Sequence, residues 1–341
     1  MSVLLLNDDD VRTRLDAATA VRAVRGALLA AHEGTLHAPP RIHTDLGAGR
    51  LVFTVGHLCS EKLFGFRAYD TLVGAEQLVA VWGSDDGRLR AVVYGHELGA
   101  RRTGAIGAAA VDAAARPGEI RLGLVGAGTQ AWAQLWAIRA VRHVREVAVA
   151  ARRPERAQAF ARRAAEELGV RTRAVRTVEE AVRDHDVVVV ATNSEVPVLD
   201  ADWITPGTHV TTLGPKTVAR HEVPASLADR ADVLLTDSLT QAAGYAEPHI
   251  LPTDRLLDLG AILAKAARGR TAPEEITVFC SVGLAGTEVA VAAALCEEVR
   301  RRSRPGTPSE RHQDCWPVRA GAAWATRRTS DKSPERPGAR P

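Results

Sequence analysis

The stretch that most constrains this chain is Leu122–Ile138, LGLVGAGTQAWAQLWAI, a short apolar run, a glycine pair at Gly126 and Gly128, and then a helical pattern. It reads as a strand that ends in a tight turn and opens a helix. Unpaired N–H groups and the dipole at such a helix start favour a pyrophosphate. Gly126 allows the turn and Gly128 lets the backbone approach the phosphates. Ala131 stands where a third glycine would make the helix–strand contact. In this strand–turn–helix context the pattern implies dinucleotide binding.

The sequence after this loop keeps one rhythm. Apolar runs LGLVG, EVAVAA, DVVVVAT and HVTTLG alternate with helical stretches such as Pro154–Leu168 and Val178–Arg183, and ADVLLTD and ITVFCS continue the series. Near-continuous valine runs between amphipathic helices indicate βαβ units and a parallel sheet covered on both faces. The expected fold class is α/β, with a Rossmann domain over 118–282. The chain before it differs. Val3–Leu6 reads as a strand, and Asp8–Asp10 offer caps to one helix running to about Gly34. LVFTV, FGFRAY, QLVAVWG and RAVVYG then read as antiparallel strands, with turns at Gly47–Gly49 and Asp85–Gly87. A small-residue helix over about Arg101–Ala115 follows.

Residues 1–117 therefore read as a separate α+β domain with an antiparallel-type sheet. A helical segment over about 283–300 packs back on it. From Arg301 the sequence crowds arginine and proline without apolar periodicity, so 301–341 reads as a disordered or aberrant tail. Apolar residues at 46% and charged residues at 25% are globular values, and 341 residues suffice for two domains. A net charge of +3, with arginines spread along the chain, implies no nucleic-acid surface but suits anionic ligands. Cys59, Cys280, Cys296 and Cys315 form no CxxC pair, which suggests reduced thiols and no metal site. No segment has the length of a membrane span, so a soluble, cytoplasmic protein is expected.

The second strand of the parallel sheet, Val147–Ala150, runs into Ala151-Arg152-Arg153-Pro154. An NAD site usually places an acid there, whereas an NADP site places arginine against the 2′-phosphate. With no carboxylate available, Arg152 and Arg153 favour NADP(H), with NAD(H) still possible. Thr192 and Ser194 lie where the fourth strand ends and are expected near the cofactor. His57, His96, His209 and His221 show no spacing that links them to a metal or a triad, and His209 reads as a satisfied strand residue. Glu61, Asp70 and Glu97 are possible pocket residues, and Tyr69 shares a strand face with Arg67.

Pro39-Pro40-Arg41, Gly65-Phe66-Arg67, Arg102-Thr103, GAGTQAWAQL, VVVATNSEVPVL, PGTHVTTLG and SVGLA together resemble the ornithine cyclodeaminase/mu-crystallin family across roughly residues 3–300. The resemblance implies a homodimer built through the N-terminal sheet, and a cleft in which arginines beneath the nicotinamide hold a substrate carboxylate. Carried over by motif, Arg41 and Arg102 bind the carboxylate, with Arg67 beside them, and Arg102 and Thr103 approach the cofactor phosphates. Thr129 and Gln130 touch the pyrophosphate. Ser281 lies near the nicotinamide, Leu213 joins the cofactor contacts, and Arg220 takes the place of a basic cofactor contact.

Two positions depart from that family's namesake reaction. Arg67 replaces a lysine, and Lys216 stands where a catalytic aspartate would be. The pocket becomes more cationic, so an anionic amino, imino or oxo acid fits better than ornithine. The expected function is an NADPH-dependent reduction of an imine, or of a 2-oxo acid with an amine, beside a carboxylate. Lys216 is the candidate proton donor and Arg67 the candidate charge stabiliser; an ion pair of Lys216 with Glu222 is the structural alternative. The rival functions are an ammonia-lyase of the cyclodeaminase type using NAD catalytically, and a crystallin-like protein that binds NADPH without turnover.

Overall fold

The structure, a computed structural model, describes residues 2–72 and 77–302. Its strands form two sheets. The first contains β1 (Leu4–Leu6), β2 (Leu36–His37), β3 (Ile42–Asp45), β4 (Arg50–Leu58), β5 (Leu63–Asp70), β6 (Gln77–Gly83) and β7 (Leu89–Tyr94), in the order β1-β7-β6-β5-β4-β2 with β3 also on β4. Its pairings are antiparallel except β1 with β7, which run parallel. The second contains β8 (Ile120–Val125), β9 (Val144–Ala150), β10 (Thr172–Ala174), β11 (Val187–Val190), β12 (His209–Thr212), β13 (Val233–Thr236), β14 (Leu256–Asp258) and β15 (Thr277–Cys280). Every pairing there is parallel, in the order β10-β9-β8-β11-β12-β15-β13-β14. Strand order reverses between β8 and β11, so a crevice for a ligand opens at their C-terminal ends. All four valines of β11 are fully buried, as strands covered on both faces require.

The helices are α1 (Asp8–Arg14), α2 (Ala17–His32), α3 (Glu97–Ala114), α4 (Thr129–Ile138), α5 (Pro154–Leu168), α6 (Val178–Val182), α7 (Leu227–Arg230), α8 (Leu239–Ala243), α9 (Leu259–Leu263) and α10 (Thr287–Arg302). The single N-terminal helix expected from the sequence is two. Asn7, and not the aspartates, caps α1: its side chain accepts from the N–H groups of Asp9 and Asp10, while Asp10 accepts from the Asn7 N–H. Asp16 then caps α2 by accepting from the Thr19 N–H. Helix α3 starts earlier than expected, at Glu97, and α10 starts later, at Thr287. Gly283 and Gly286 delay α10 because both take positive φ, +77° and +85°. Helix α10 packs on α2, α3 and strands β4–β7, and its last turn includes Arg301 and Arg302, which the sequence had assigned to the tail. The remainder of that tail, 303–341, lies outside the described residues.

Contact between α3 and α4 brings the two sheets' helical layers together. A Cβ on Gly104 would sit 2.2 Å from the Ala133 carbonyl oxygen, so only glycine permits this approach. Gln134, buried in α4, closes the seam by donating to the Thr103 carbonyl at 3.1 Å. No helix among the described residues is long and apolar enough to cross a membrane.

His209 is fully buried at the start of β12, with Nδ1 at 2.8 Å from Thr277 Oγ1 and Nε2 at 3.2 Å from Thr211 Oγ1. Burial, aided by the charges of Arg270 and Arg142, pushes its pKa down from 6.5 to about 3. The unfolded chain therefore takes up a proton here below pH 6.5 while the folded chain does not. Stability from this site is complete above that pH and declines as pH falls toward the folded value. Thermal melts of His209→Asn should show a shallower loss of stability from pH 6.5 downward than the wild type; an unchanged slope would contradict the assignment.

Candidate active site

The glycine turn links β8 to α4. Gly126 has φ +110°, and a Cβ there would lie 2.3 Å from the Ala191 carbonyl oxygen at the end of β11. Gly128 is the N-cap of α4, no side chain caps that helix, and the space beside its Cα is open. Thr129 and Gln130 form the first helical positions, and Ala131 is fully buried beneath them. Gln130 Oε1 is buried without a hydrogen-bond partner. A bare helix start and an open glycine together fit a phosphate-bearing ligand in the crevice. A groove of about 380 Å³ opens beside the turn between Ala100, Arg101, Thr129 and Trp136; Arg41, Arg67 and Arg102 do not line it.

Glu222, which the sequence reading considered only as a partner for Lys216, holds the rim of that crevice. Its carboxylate is fully buried and accepts from the Thr192 N–H at 2.9 Å and the Thr192 hydroxyl at 2.7 Å. It also accepts from the Thr212 hydroxyl and from the N–H groups of Leu213 and Gly214. The C-terminal ends of β11 and β12 are thereby tied together. Thr192 is thus committed to Glu222, and the Ser194 hydroxyl donates to the Val196 carbonyl at 2.6 Å. Arg220 is exposed on the following loop, 3.6 Å from Glu195. Arg152 and Arg153 follow β9 at the surface, and neither guanidinium has a side-chain partner among the described residues.

Arg67 and Arg102 meet on a carboxylate the motif reading did not name, and Arg41 converges with Arg102 beside Gly283. Glu288, in the first turn of α10 and 1% exposed, accepts from Arg67 Nη1 at 3.2 Å and from Arg102 Nη2. Arg67 gives its remaining fork to Gln77 and lies over the Tyr69 ring, 4.1 Å from its centroid. Arg41 donates to the carbonyls of Val282 and Gly283 at 2.6 and 2.7 Å. Those carbonyls are presented by Asp237, which accepts from the N–H groups of Val282 and Leu284. At Gly283 a Cβ would fall 2.6 Å from Arg41 Nη2 and 2.8 Å from Arg102 Nη1, so the two guanidiniums converge there. Ser281, buried at the end of β15, begins this loop. Thr103 turns its hydroxyl back to the Gly99 carbonyl at 3.0 Å.

The electrostatics follow from burial. Burial raises the Glu288 carboxyl, but Arg102, then Arg67, outweigh it and hold it below the ordinary carboxylate range. Burial and the charge of Arg102 pull Arg67 down, and Glu288 opposes them. Two guanidiniums pair with one carboxylate while Arg41 bonds only backbone carbonyls, and Arg41 Nε, Arg102 Nε and Glu288 Oε2 remain buried without hydrogen-bond partners. Such orphaned cationic donors suit a further anion.

Lys216 is buried but is not in an ion pair with Glu222. Its ammonium donates to the carbonyls of Leu213 at 3.2 Å and Gly214 at 2.5 Å, because Glu222 is filled by hydroxyl and backbone donors. Its charge is felt by Cys280, whose thiol burial pushes up to about 12, and by His249, which burial pushes down. Of the weaker candidates, Glu97 pairs with Arg12 and Arg101, and Asp70 accepts from the Leu72 N–H.

Replacing Glu288 with alanine leaves Arg67 and Arg102 buried without their counter-ion. Removing one partner of a buried pair costs about 3–5 kcal/mol. Urea unfolding of E288A should show a loss of that order, and a loss within experimental error would contradict the assigned role.

A model of the ornithine cyclodeaminase/mu-crystallin family matches residues 2–303. An alanine dehydrogenase from Archaeoglobus fulgidus is 29% identical over 312 residues, covering 87% of this chain and 95% of that protein. The Thermococcus litoralis Δ1-pyrroline-2-carboxylate reductase, solved with NADH and L-proline, superposes with a TM-score of 0.81 at 24% identity over 88% of this chain and 98% of that one. The Paracoccus denitrificans iminosuccinate reductase, solved with NAD+, superposes with a TM-score of 0.78 at 25% identity, over 88% and 97% respectively. With a match that spans nearly every described residue, this chain belongs to the ornithine cyclodeaminase/mu-crystallin family.

Proposed function

We propose that the chain is a nicotinamide-dependent reductase acting on a C=N bond beside a carboxylate, or on a 2-oxo acid together with an amine. The observation that carries this reading is the imbalance in the cleft, where Arg67 and Arg102 share the single carboxylate of Glu288 and Arg41 bonds only backbone carbonyls, with Arg41 Nε and Arg102 Nε lacking acceptors. Of the relatives reported above, two are named as reductases of pyrroline-2-carboxylate and iminosuccinate and one as an alanine dehydrogenase.

When bound, the dinucleotide supplies the hydride. Gly126, Gly128, Thr129, Gln130 and Ala131 would hold its pyrophosphate at the start of α4, with Thr103, Thr192, Ser194, Leu213, Arg220 and Ser281 around it. Arg41 and Arg102 clamp the substrate carboxylate and so orient the unsaturated carbon. Arg67 acts through Glu288, fixing the carboxylate that sets the charge and direction of Arg102. Lys216 spends two N–H groups on carbonyls, which leaves the third to deliver a proton to the substrate nitrogen. We take residues 2–117 with 283–302 as the substrate-side unit and 118–282 as the cofactor-side unit.

NADPH is the preferred reductant in this reading, because Arg152 and Arg153 have no side-chain partner among the described residues and no acid ends β9. A homodimer forms through the outer face of the first sheet. Leu5, Ile42, Val55 and Tyr94 are exposed there, beside the stacked rings of Phe64, Phe66 and Trp82.

The test follows loss of reduced cofactor with cyclic imino acids, with 2-oxo acids plus ammonia or amines, and with ornithine assayed for ammonia. Turnover of an imino or oxo acid is expected. Ammonia release from ornithine, or cofactor binding without turnover on the whole panel, would overturn the reading. Exchanging Arg152 and Arg153 for Asp and Ser should weaken NADPH binding about tenfold or more while NADH binding changes little, given that a charge-assisted hydrogen bond contributes about 1.5–3 kcal/mol. Equal loss for both cofactors would contradict the preference. Lys216→Ala should lower kcat with cofactor affinity retained, and full activity would remove the proton-donor role.

A further inference from the structure

His37 and His57 face each other across β2 and β4, as directly paired residues of an antiparallel ladder. Their rings meet edge to face with centroids 5.6 Å apart. Cys59, just past the end of β4, brings its Sγ to 3.6 Å from His57 Nδ1 and 3.9 Å from His37 Nε2. One potential ligand atom from each residue lies within 4.8 Å of the others. Nothing in the reduction described above uses these side chains.

We infer that His37, His57 and Cys59 form a binding site for one zinc ion. Zinc takes sulfur at about 2.3 Å and imidazole nitrogen at about 2.0–2.1 Å in tetrahedral geometry. Those bond lengths place S and N ligands about 3.5 Å apart. The Cys59–His57 separation of 3.6 Å already meets this requirement, and the Cys59–His37 separation of 3.9 Å closes with a small side-chain rotation. A mixed imidazole and thiolate set selects a borderline-soft ion over magnesium or calcium.

The backbone beneath the three ligands is fixed independently of any ion. Leu36 and His37 pair with Leu58 and His57, and the Cys59 N–H donates to the Thr35 carbonyl at 3.0 Å. Little ordering cost thus remains for binding. His37 is exposed on the edge strand β2, so an ion can enter from that edge although His57 shares the sheet face proposed for the homodimer, and water can take the fourth position. On binding, the thiol proton passes to solvent and the thiolate becomes the anionic ligand.

The site is separate from the arginine cluster. Along β4, Val52, Thr54, Gly56 and Leu58 are buried, and Thr54 pairs with Arg67. His57 belongs to the alternate set with Phe53 and Val55, on the opposite face. Zinc is therefore expected to stabilise the fold without entering the reaction.

Untagged full-length protein, stripped with chelator, is titrated with CoCl2 and separately with ZnCl2. One equivalent of cobalt should give the visible bands of a tetrahedral centre with a thiolate charge-transfer band, and zinc should displace it and raise the thermal midpoint. X-ray absorption of the zinc form should read one sulfur and two imidazole nitrogens. Cys59→Ser should lose the charge-transfer band, and His37→Gln with His57→Gln should weaken binding at least tenfold. These variants should keep the metal-free thermal midpoint and the reductase activity. Absence of the cobalt spectrum, or an unchanged spectrum in Cys59→Ser, would overturn the proposal. A sulfur shell retained in that variant would do so as well, since it would place the metal on another cysteine.

Discussion

Glu288 reaches the cleft from the first turn of α10, 186 and 221 residues downstream of the arginines it neutralises. Arg102 projects from α3 and Arg67 from the middle of β5, so one carboxylate joins three elements. Without it both guanidiniums would be buried with no counter-ion. The desolvation cost of burying ions is met only when partners and hydrogen bonds are in place. Gln77 and Tyr69 complete that requirement for Arg67. What remains unpartnered is Arg41 Nε and Arg102 Nε beside Glu288 Oε2, and the proposed function assigns the two arginine donors to a substrate carboxylate.

Helix α3 connects this charge cluster to the phosphate turn. It carries Arg102 toward Glu288, while Gly104 admits the α4 backbone at a separation no larger residue would allow and Gly107 leaves room for the Gln134 amide. A Cβ at Gly107 would fall 2.0 Å from Gln134 Oε1. Because α4 begins at the glycine turn, the α3–α4 seam sets the spacing between the substrate side and the cofactor side. Glu222 performs the matching task within the parallel sheet, tying the ends of β11 and β12 beneath the crevice. Glu222 accepts through both oxygens from the ends of two strands, and Glu288 accepts through Oε1 from β5 and α3.

The parallel sheet was readable in the sequence because buried strands and amphipathic helices leave local periodic signatures. The glycine turn was readable because φ above zero at Gly126 has few alternatives. Pro154–Leu168 matched α5 at both ends, since proline at the first helical position and Gly169 at the left-handed cap are both local signals. Glu288, Asp237 and the acceptor role of Glu222 carry no such signal. A buried carboxylate within a helix or loop looks like a surface one until the fold brings donors to it. The split between α1 and α2 was missed because apolar spacing runs across it, while Asn7 and Asp16 act through cap hydrogen bonds that periodicity does not report. The meeting of His37, His57 and Cys59 depends on the β2–β4 register, and a two-residue strand leaves almost no trace in the sequence.

The central claim is that Arg41 and Arg102 hold a substrate carboxylate. The most direct measurement compares, by calorimetry in the presence of reduced cofactor, the affinity of a non-reducible aromatic analogue of a cyclic imino acid with that of its carboxamide. The account predicts that the carboxylate binds about tenfold or more tightly, the magnitude of one charge-assisted hydrogen bond, and that Arg102→Gln abolishes the difference. Equal affinity for acid and amide, or a preference that survives in Arg102→Gln, would contradict it.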